Sequence, residues 1–170
     1  MFRNWVLPGV VIAALGLAAL PAHGQNATAA RVITGTDGRD MLRGTSGADS
    51  IRGLAKDDVL IGGAGADVVD GGTGEDVMTG GSGRDRLLGR SGKDRLGGGA
   101  GNDRLSGSTG GDRISGGTGR DVIDGGKDND TISARDGTRD RIRCGTGKQD
   151  SVSADRIDRI AGDCERVRKR

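Results

Sequence analysis

An aspartate recurs every ninth residue along most of this chain: Asp40, Asp49, Asp58, Asp67, Asp76, Asp85, Asp94, Asp103, Asp112, Asp121 and Asp130. Each sits in a glycine-rich setting, as in GGAGADVVD at residues 62–70. A carboxylate is a hard oxygen donor, and a glycine turn offers backbone carbonyl oxygens with no side chain in the way. Such a set is suited to holding a hard cation. It is poorly suited to catalysis. Residues 25–170 contain no histidine, and no G-x-S-x-G sits on a strand-to-helix turn. Nothing marks an open coordination position with a base beside it. The chain is therefore expected to be a binding protein and not an enzyme.

The elements that position these carboxylates follow from the repeat itself. Eleven units of nine residues run without a gap from residue 35 to residue 133. Position one is glycine, position six aspartate and position eight apolar in all eleven. Position four is glycine in nine, with Lys56 and Asp128 as the departures, and position two is glycine in six. Glycine tolerates left-handed backbone, so six residues are expected to form a turn and the last three a short strand. Alternation sends position eight to one side and positions seven and nine to the other. Two units make one coil, with odd and even units on opposite sheets. Five and a half such coils would stack to about 26 Å at a strand spacing of about 4.8 Å.

These units resemble the hemolysin-type, or RTX, calcium-binding nonapeptide. The resemblance implies an all-β fold, a right-handed parallel β-roll, with calcium held between successive turns. It implies that the eleven aspartates, with turn carbonyls from two units eighteen residues apart, enclose the ions; Asp67 with Asp85 and Asp76 with Asp94 are examples. Five gaps on one side and four on the other set a ceiling of about nine ions. An EF-hand does not fit, because its loop needs a glutamate at its twelfth place and the chain has only Glu75 and Glu165. A metal-free solenoid is the alternative.

Composition supports the need for metal. Only 32% of the chain is hydrophobic and 35 residues are glycine. Phe2 and Trp5 are the only aromatics. Such a chain buries too little apolar surface to offset the entropy of ordering, so calcium binding is expected to drive folding.

Residues 1–24 read as a secretory signal peptide, with Arg3, an apolar run from Val6 to Leu20, and small residues at Ala22 and Gly24. Cleavage is expected after Gly24, with Ala29 as a second option. An uncleaved anchor is the alternative, but the apolar run falls short of the roughly 20 residues of a membrane span. The protein is thus expected to be secreted, with no transmembrane segment in the mature chain. Cys144 and Cys164 fit one disulfide in an exported chain, and their separation is not a zinc spacing.

Residues 25–34 are expected to form an N-terminal segment and capping strand, with Ile33 in the apolar register. After Ser133 the nine-residue step breaks, with Ala134 as an extra residue. Residues 134–170 read as a degenerate C-terminal cap and basic tail pinned by the disulfide. The apolar rhythm continues through Asp140 and Ile142, Asp150 and Val152, Asp155 and Ile157, and Ile160. This end resembles small secreted actinobacterial calcium-binding proteins in which the repeat stands alone.

Position seven points outward. It holds Arg86 and Arg104 one coil apart on one sheet and Arg95 and Arg113 on the other, after Val59, Val68 and Val77 in earlier coils. Net charge is only +2. The arginines either balance the aspartates or bind extracellular polyanions such as cell-wall polymers. Sequence-specific nucleic-acid recognition is not expected, since no aromatic side chain is available for base stacking. Ice binding lacks a threonine array, and pore formation lacks an apolar segment after residue 24.

Overall fold

The computed structural model describes residues 29–170. The expected signal peptide lies outside the described residues. The described chain is all strand and turn. Its strands are β1 (Val32–Thr34), β2 (Met41–Arg43), β3 (Ser50–Ala55), β4 (Val59–Ala64), β5 (Val68–Thr73), β6 (Val77–Ser82), β7 (Arg86–Ser91) and β8 (Arg95–Ala100). They continue as β9 (Arg104–Thr109), β10 (Arg113–Thr118), β11 (Val122–Lys127), β12 (Thr131–Ala134), β13 (Arg141–Gly145), β14 (Ser151–Ala154), β15 (Arg159–Ile160) and β16 (Arg166–Lys169). Odd strands form one 8-stranded parallel sheet and even strands the other. Each strand pairs with the strand two along the chain, so the fold is a solenoid of eight coils, as the repeat demands. Seven spacings of about 4.8 Å make it roughly 34 Å long.

The strands are longer than the expected three residues. In the interior coils each spans six, positions seven to nine and then one to three of the next unit, as in VVDGGT of β5. Only positions four to six turn the corner. Glycine at position two does not end the strand. It adopts positive φ (105° at Gly72) yet stays in the ladder, with Gly63 opposite Gly81 and Gly81 opposite Gly99. The turn is shorter because the glycine pair bends the strand instead of breaking it.

Alternation then explains the interior. Positions six, eight and one share one face, so aspartate, an apolar side chain and glycine all point inward. The core is one apolar residue per strand, from Leu42 through Ile51, Leu60 and Val69 to Ile142 and Val152, each at most 3% exposed. Ile33 and Ile160 pack against its two ends.

Both sheets run on through residues 134–170, and two expectations there are corrected. Ala134 is not an extra residue; it occupies inward position one, opposite Ala154. Cys144 and Ala154 fill the same position in β13 and β14. Where Ala134 and Cys144 replace glycine, the next inward carboxylate is six residues on, at Asp140 and Asp150, instead of five. The turn is one residue longer in these two coils. Likewise Asp155 and Ile157 do not form the next inward pair, since Ile157 is 46% exposed. Asp158 and Ile160 take that place, with Ile160 opposite Ile142. Cys144 and Cys164 form the expected disulfide.

Candidate metal centre

Position six is the last residue of each turn, and its side chain enters the roll just before the strand begins. All eleven predicted aspartates are buried there, from Asp40 at 5% exposure to Asp76 at 0%. They line up as two ladders, one beside each sheet. The main-chain N–H of each aspartate donates to Oδ1 of the aspartate one coil further on. Asp58 donates to Asp76 at 2.8 Å, Asp76 to Asp94 at 2.9 Å and Asp94 to Asp112 at 2.8 Å. On the other side Asp67 donates to Asp85 at 2.9 Å, Asp85 to Asp103 at 2.8 Å and Asp103 to Asp121 at 2.8 Å.

The second carboxylate oxygen is the decisive feature. Oδ2 of Asp58, Asp67, Asp76, Asp85, Asp94, Asp103, Asp112, Asp121 and Asp130 is buried with no hydrogen-bond partner. A buried charge without a partner is costly. Native proteins satisfy nearly all buried polar atoms, so a whole row of orphans calls for a ligand.

The position-one glycines make the space in which these oxygens sit. A Cβ on Gly62 would lie 2.5 Å from Asp67 Oδ2 and 2.5 Å from the carbonyl oxygen of Gly80. The same pairing of a carboxylate and a carbonyl one coil on recurs at Gly53, Gly71, Gly80, Gly89, Gly98 and Gly107. Glycine at these positions makes the room, and carbonyl oxygens accompany these orphaned carboxylates. The donor set is oxygen throughout, which fits a hard cation of the calcium kind.

Burial pushes the carboxyl groups up, against the lowering effect of the backbone N–H each accepts. Asp112 and Asp121 are pushed up to about 7. Asp58, Asp76, Asp94 and Asp130 rise to about 6. Neighbouring carboxylates add to the rise; Asp76 and Asp40 do so at Asp58. Without a cation these six carboxyls hold their protons well above the usual carboxylate range.

The two N-terminal members differ from the rest. Asp40 Oδ2 accepts the N–H of Thr36 at 2.6 Å and its hydroxyl at 3.1 Å. Asp49 Oδ2 accepts the same groups of Thr45 at 2.5 and 2.9 Å. Threonine at position two thus supplies what the glycines elsewhere leave open.

At the other end the structure adds residues that the nonapeptide count missed. Asp140 and Asp150 are 0% exposed and carry the same orphaned Oδ2. Their Oδ1 atoms accept the N–H groups of Asp121 at 2.8 Å and Asp130 at 2.7 Å. The signal was present as Asp-x-Ile at 140–142 and Asp-x-Val at 150–152. Asp158 closes one ladder, taking N–H groups of Asp140 on Oδ1 and Asp155 on Oδ2. Glu165 closes the other by accepting the N–H of Asp150 at 2.9 Å. Cys144, Asp163 and Cys164 also lie together, but the disulfide occupies both sulfurs.

The sequence profile of the RTX calcium-binding nonapeptide repeat matches this chain four times, over residues 34–69, 43–78, 70–105 and 106–138. The chain belongs to the RTX calcium-binding repeat family. The chain is thus a β-roll of calcium-binding repeats, and the matched repeats end just before Asp140, where the RTX spacing lengthens. No curated protein and no solved structure matches the chain. Among the described residues, no helix is long and apolar enough to cross a membrane.

Proposed function

We propose that this RTX protein is a secreted, calcium-folded structural module, working outside the cell where calcium is abundant. The observation that carries this reading is the row of eleven buried aspartate Oδ2 atoms without partners, from Asp58 to Asp150. Bound calcium would supply positive charge between like charges. Around it the chain does the positioning. Each Oδ1 is fixed by a main-chain N–H, which holds the carboxylate in one orientation and leaves Oδ2 free. The glycine carbonyls stand beside that oxygen. Asp58, Asp67, Asp76, Asp85, Asp94, Asp103, Asp112, Asp121 and Asp130 are the ligands proposed, joined by Asp140 and Asp150. Asp40 and Asp49 are weaker members, since Thr36 and Thr45 already serve their second oxygens. The free oxygens still leave about nine gaps between consecutive members, within reach of calcium-type coordination.

Support for secretion is the N-terminal apolar run and the disulfide between Cys144 and Cys164. Support for a binding role without catalysis is the lack of histidine in residues 25–170. The test is calcium titration of the chelated protein, followed by far-UV circular dichroism. A cooperative rise of β signal is expected. A β signal already complete in chelator overturns the reading.

A second reading, binding of extracellular polyanions, is favoured by the register of the outer arginines. Arg86 stands opposite Arg104 and Arg95 opposite Arg113, one strand spacing apart. Among the described residues, only Arg39 with Asp57 and Arg90 with Asp70 form salt bridges.

A further inference from the structure

The strongest unassigned feature lies at the C-terminal end of the odd-numbered sheet. Arg120 and Arg139 project from successive turns, and Arg141 and Arg159 begin successive strands in register. Together with Asp121 and with Val122, which stands opposite Arg141, they line a groove of about 360 Å³. None of these four guanidinium groups has a carboxylate partner or a side-chain hydrogen bond.

Nearby acids serve the main chain, and the free Oδ2 of Asp121 belongs to the proposed calcium ladder. Asp121 is buried, with Oδ1 on the N–H of Asp103 at 2.8 Å. Asp136 accepts the N–H of Gly119 at 2.7 Å and that of Thr138 at 2.8 Å. Asp158 serves the main chain at Asp140 and Asp155. In the calcium-loaded protein, where Asp121 would be engaged by the cation, four like charges line one concavity, an arrangement that favours entry of an anion. Guanidinium forks match the oxygens of sulfate and phosphate groups, and several forks around one space favour a multiply charged tetrahedral oxyanion over a lone carboxylate.

We propose that Arg120, Arg139, Arg141 and Arg159 form an oxyanion-binding groove for a sulfate or phosphate group, carried by an acidic glycan. This deepens the polyanion reading above and rests on it. A glycan is favoured over nucleic acid because residues 25–170 hold no aromatic side chain on which a base could stack. The groove differs from the rows of Arg86, Arg104, Arg95 and Arg113. Those rows are single files on open sheet faces, whereas here turn and strand arginines line one groove.

The test uses the calcium-loaded protein at low ionic strength, with dextran sulfate and inorganic sulfate as probes in isothermal titration calorimetry. Arg120→Gln with Arg139→Gln is compared with Arg86→Gln plus Arg104→Gln, which removes the same charge outside the groove. The groove pair is expected to weaken dextran sulfate binding at least tenfold, and the outer pair less than twofold. Saturable binding of inorganic sulfate with the same dependence assigns the groove to an isolated oxyanion; binding of dextran sulfate alone assigns it to the polymer-borne group.

Equal loss in both pairs, or loss in the outer pair only, overturns the groove and leaves the broader polyanion reading standing. No binding by the unaltered protein overturns both. Preference for single-stranded DNA over dextran sulfate overturns the glycan assignment. Circular dichroism in calcium checks that each variant folds, and Arg141→Gln with Arg159→Gln repeats the test if the first pair does not.

Discussion

The main-chain N–H of Asp94 points at Oδ1 of Asp112, eighteen residues later and 2.8 Å away. One oxygen of the carboxylate is thereby committed to the backbone, and the other, Asp112 Oδ2, is left buried and unpartnered. A single side chain has a structural half and a cation-seeking half. That division makes several experiments decisive.

Asp112→Asn keeps the Oδ1 acceptor and removes the charge. The metal-free roll should become easier to fold, because a buried like charge is lost from the ladder. Calcium should bind more weakly, with the midpoint raised about tenfold, equivalent to about 1.4 kcal/mol. Asp112→Ala removes both halves and should weaken folding with and without calcium. Calcium titrations of the two variants, read by far-UV circular dichroism, check the contrast. Equal behaviour of the two would mean that the second oxygen does not matter.

Acid should replace calcium. The raised carboxyls of Asp58, Asp76, Asp94, Asp112, Asp121 and Asp130 bind protons in the folded state at pH values where the unfolded chain has released them. Folded-state pKa values above the unfolded ones mean stability that is present below about pH 4 and lost as pH rises through about 6 to 7. In calcium-depleted buffer, β signal should therefore grow as pH falls from 8 to about 5. Calcium affinity should move the opposite way and fall with acid, since proton and cation compete for one oxygen. Loss of β signal on mild acidification without calcium would contradict this.

Lys56 sits at a glycine position of its turn with φ of 72°. Non-glycine residues pay about 1–2 kcal/mol for left-handed backbone. Lys56→Gly should raise the melting temperature of the calcium-loaded protein by several degrees, and it also removes a cation from the neighbourhood of the Asp58 ladder. The converse change, Gly83→Ala, drives a Cβ into the carbonyl of Gly65 at positive φ and should lower it by more. Differential scanning calorimetry in saturating calcium measures both.

Reduction of the Cys144–Cys164 disulfide opens a loop of about 20 residues, an effect of about 3 kcal/mol by chain entropy. The loss should be local. Amide exchange should quicken first in β13 to β16, while β5 to β9 stay protected in calcium. Uniform loss of protection throughout the roll would show instead that the cap and the repeats unfold as one unit.

Much of this fold was legible because three columns of the repeat are fully occupied, and period-two alternation turns those columns into an interior. Strand length was not legible. Gly71 and Gly72 read as turn residues by type, yet Gly72 remains paired with Arg90 in the ladder and Gly71 lies against the carbonyl of Gly89. The C-terminal register was hidden by two equally good choices, Asp155 with Ile157 and Asp158 with Ile160. Only three-dimensional spacing decides between them: Asp140 N–H needs an acceptor one coil on, and Asp158 stands eighteen residues away. The orphaned oxygens at Asp140 and Asp150 escaped the nonapeptide count because the turns after Ala134 and Cys144 are one residue longer.

The rungs of both ladders face one way, each N–H waiting on a carboxylate that comes later in the chain, and the last acceptors are Asp158 and Glu165. Synthesis therefore delivers every donor before its acceptor. A growing chain carries an unfinished rung at its end until Asp158 and Glu165 appear. Each coil of the roll is thus completed by the one that comes after it, and the ladders are capped only once those two residues are in place.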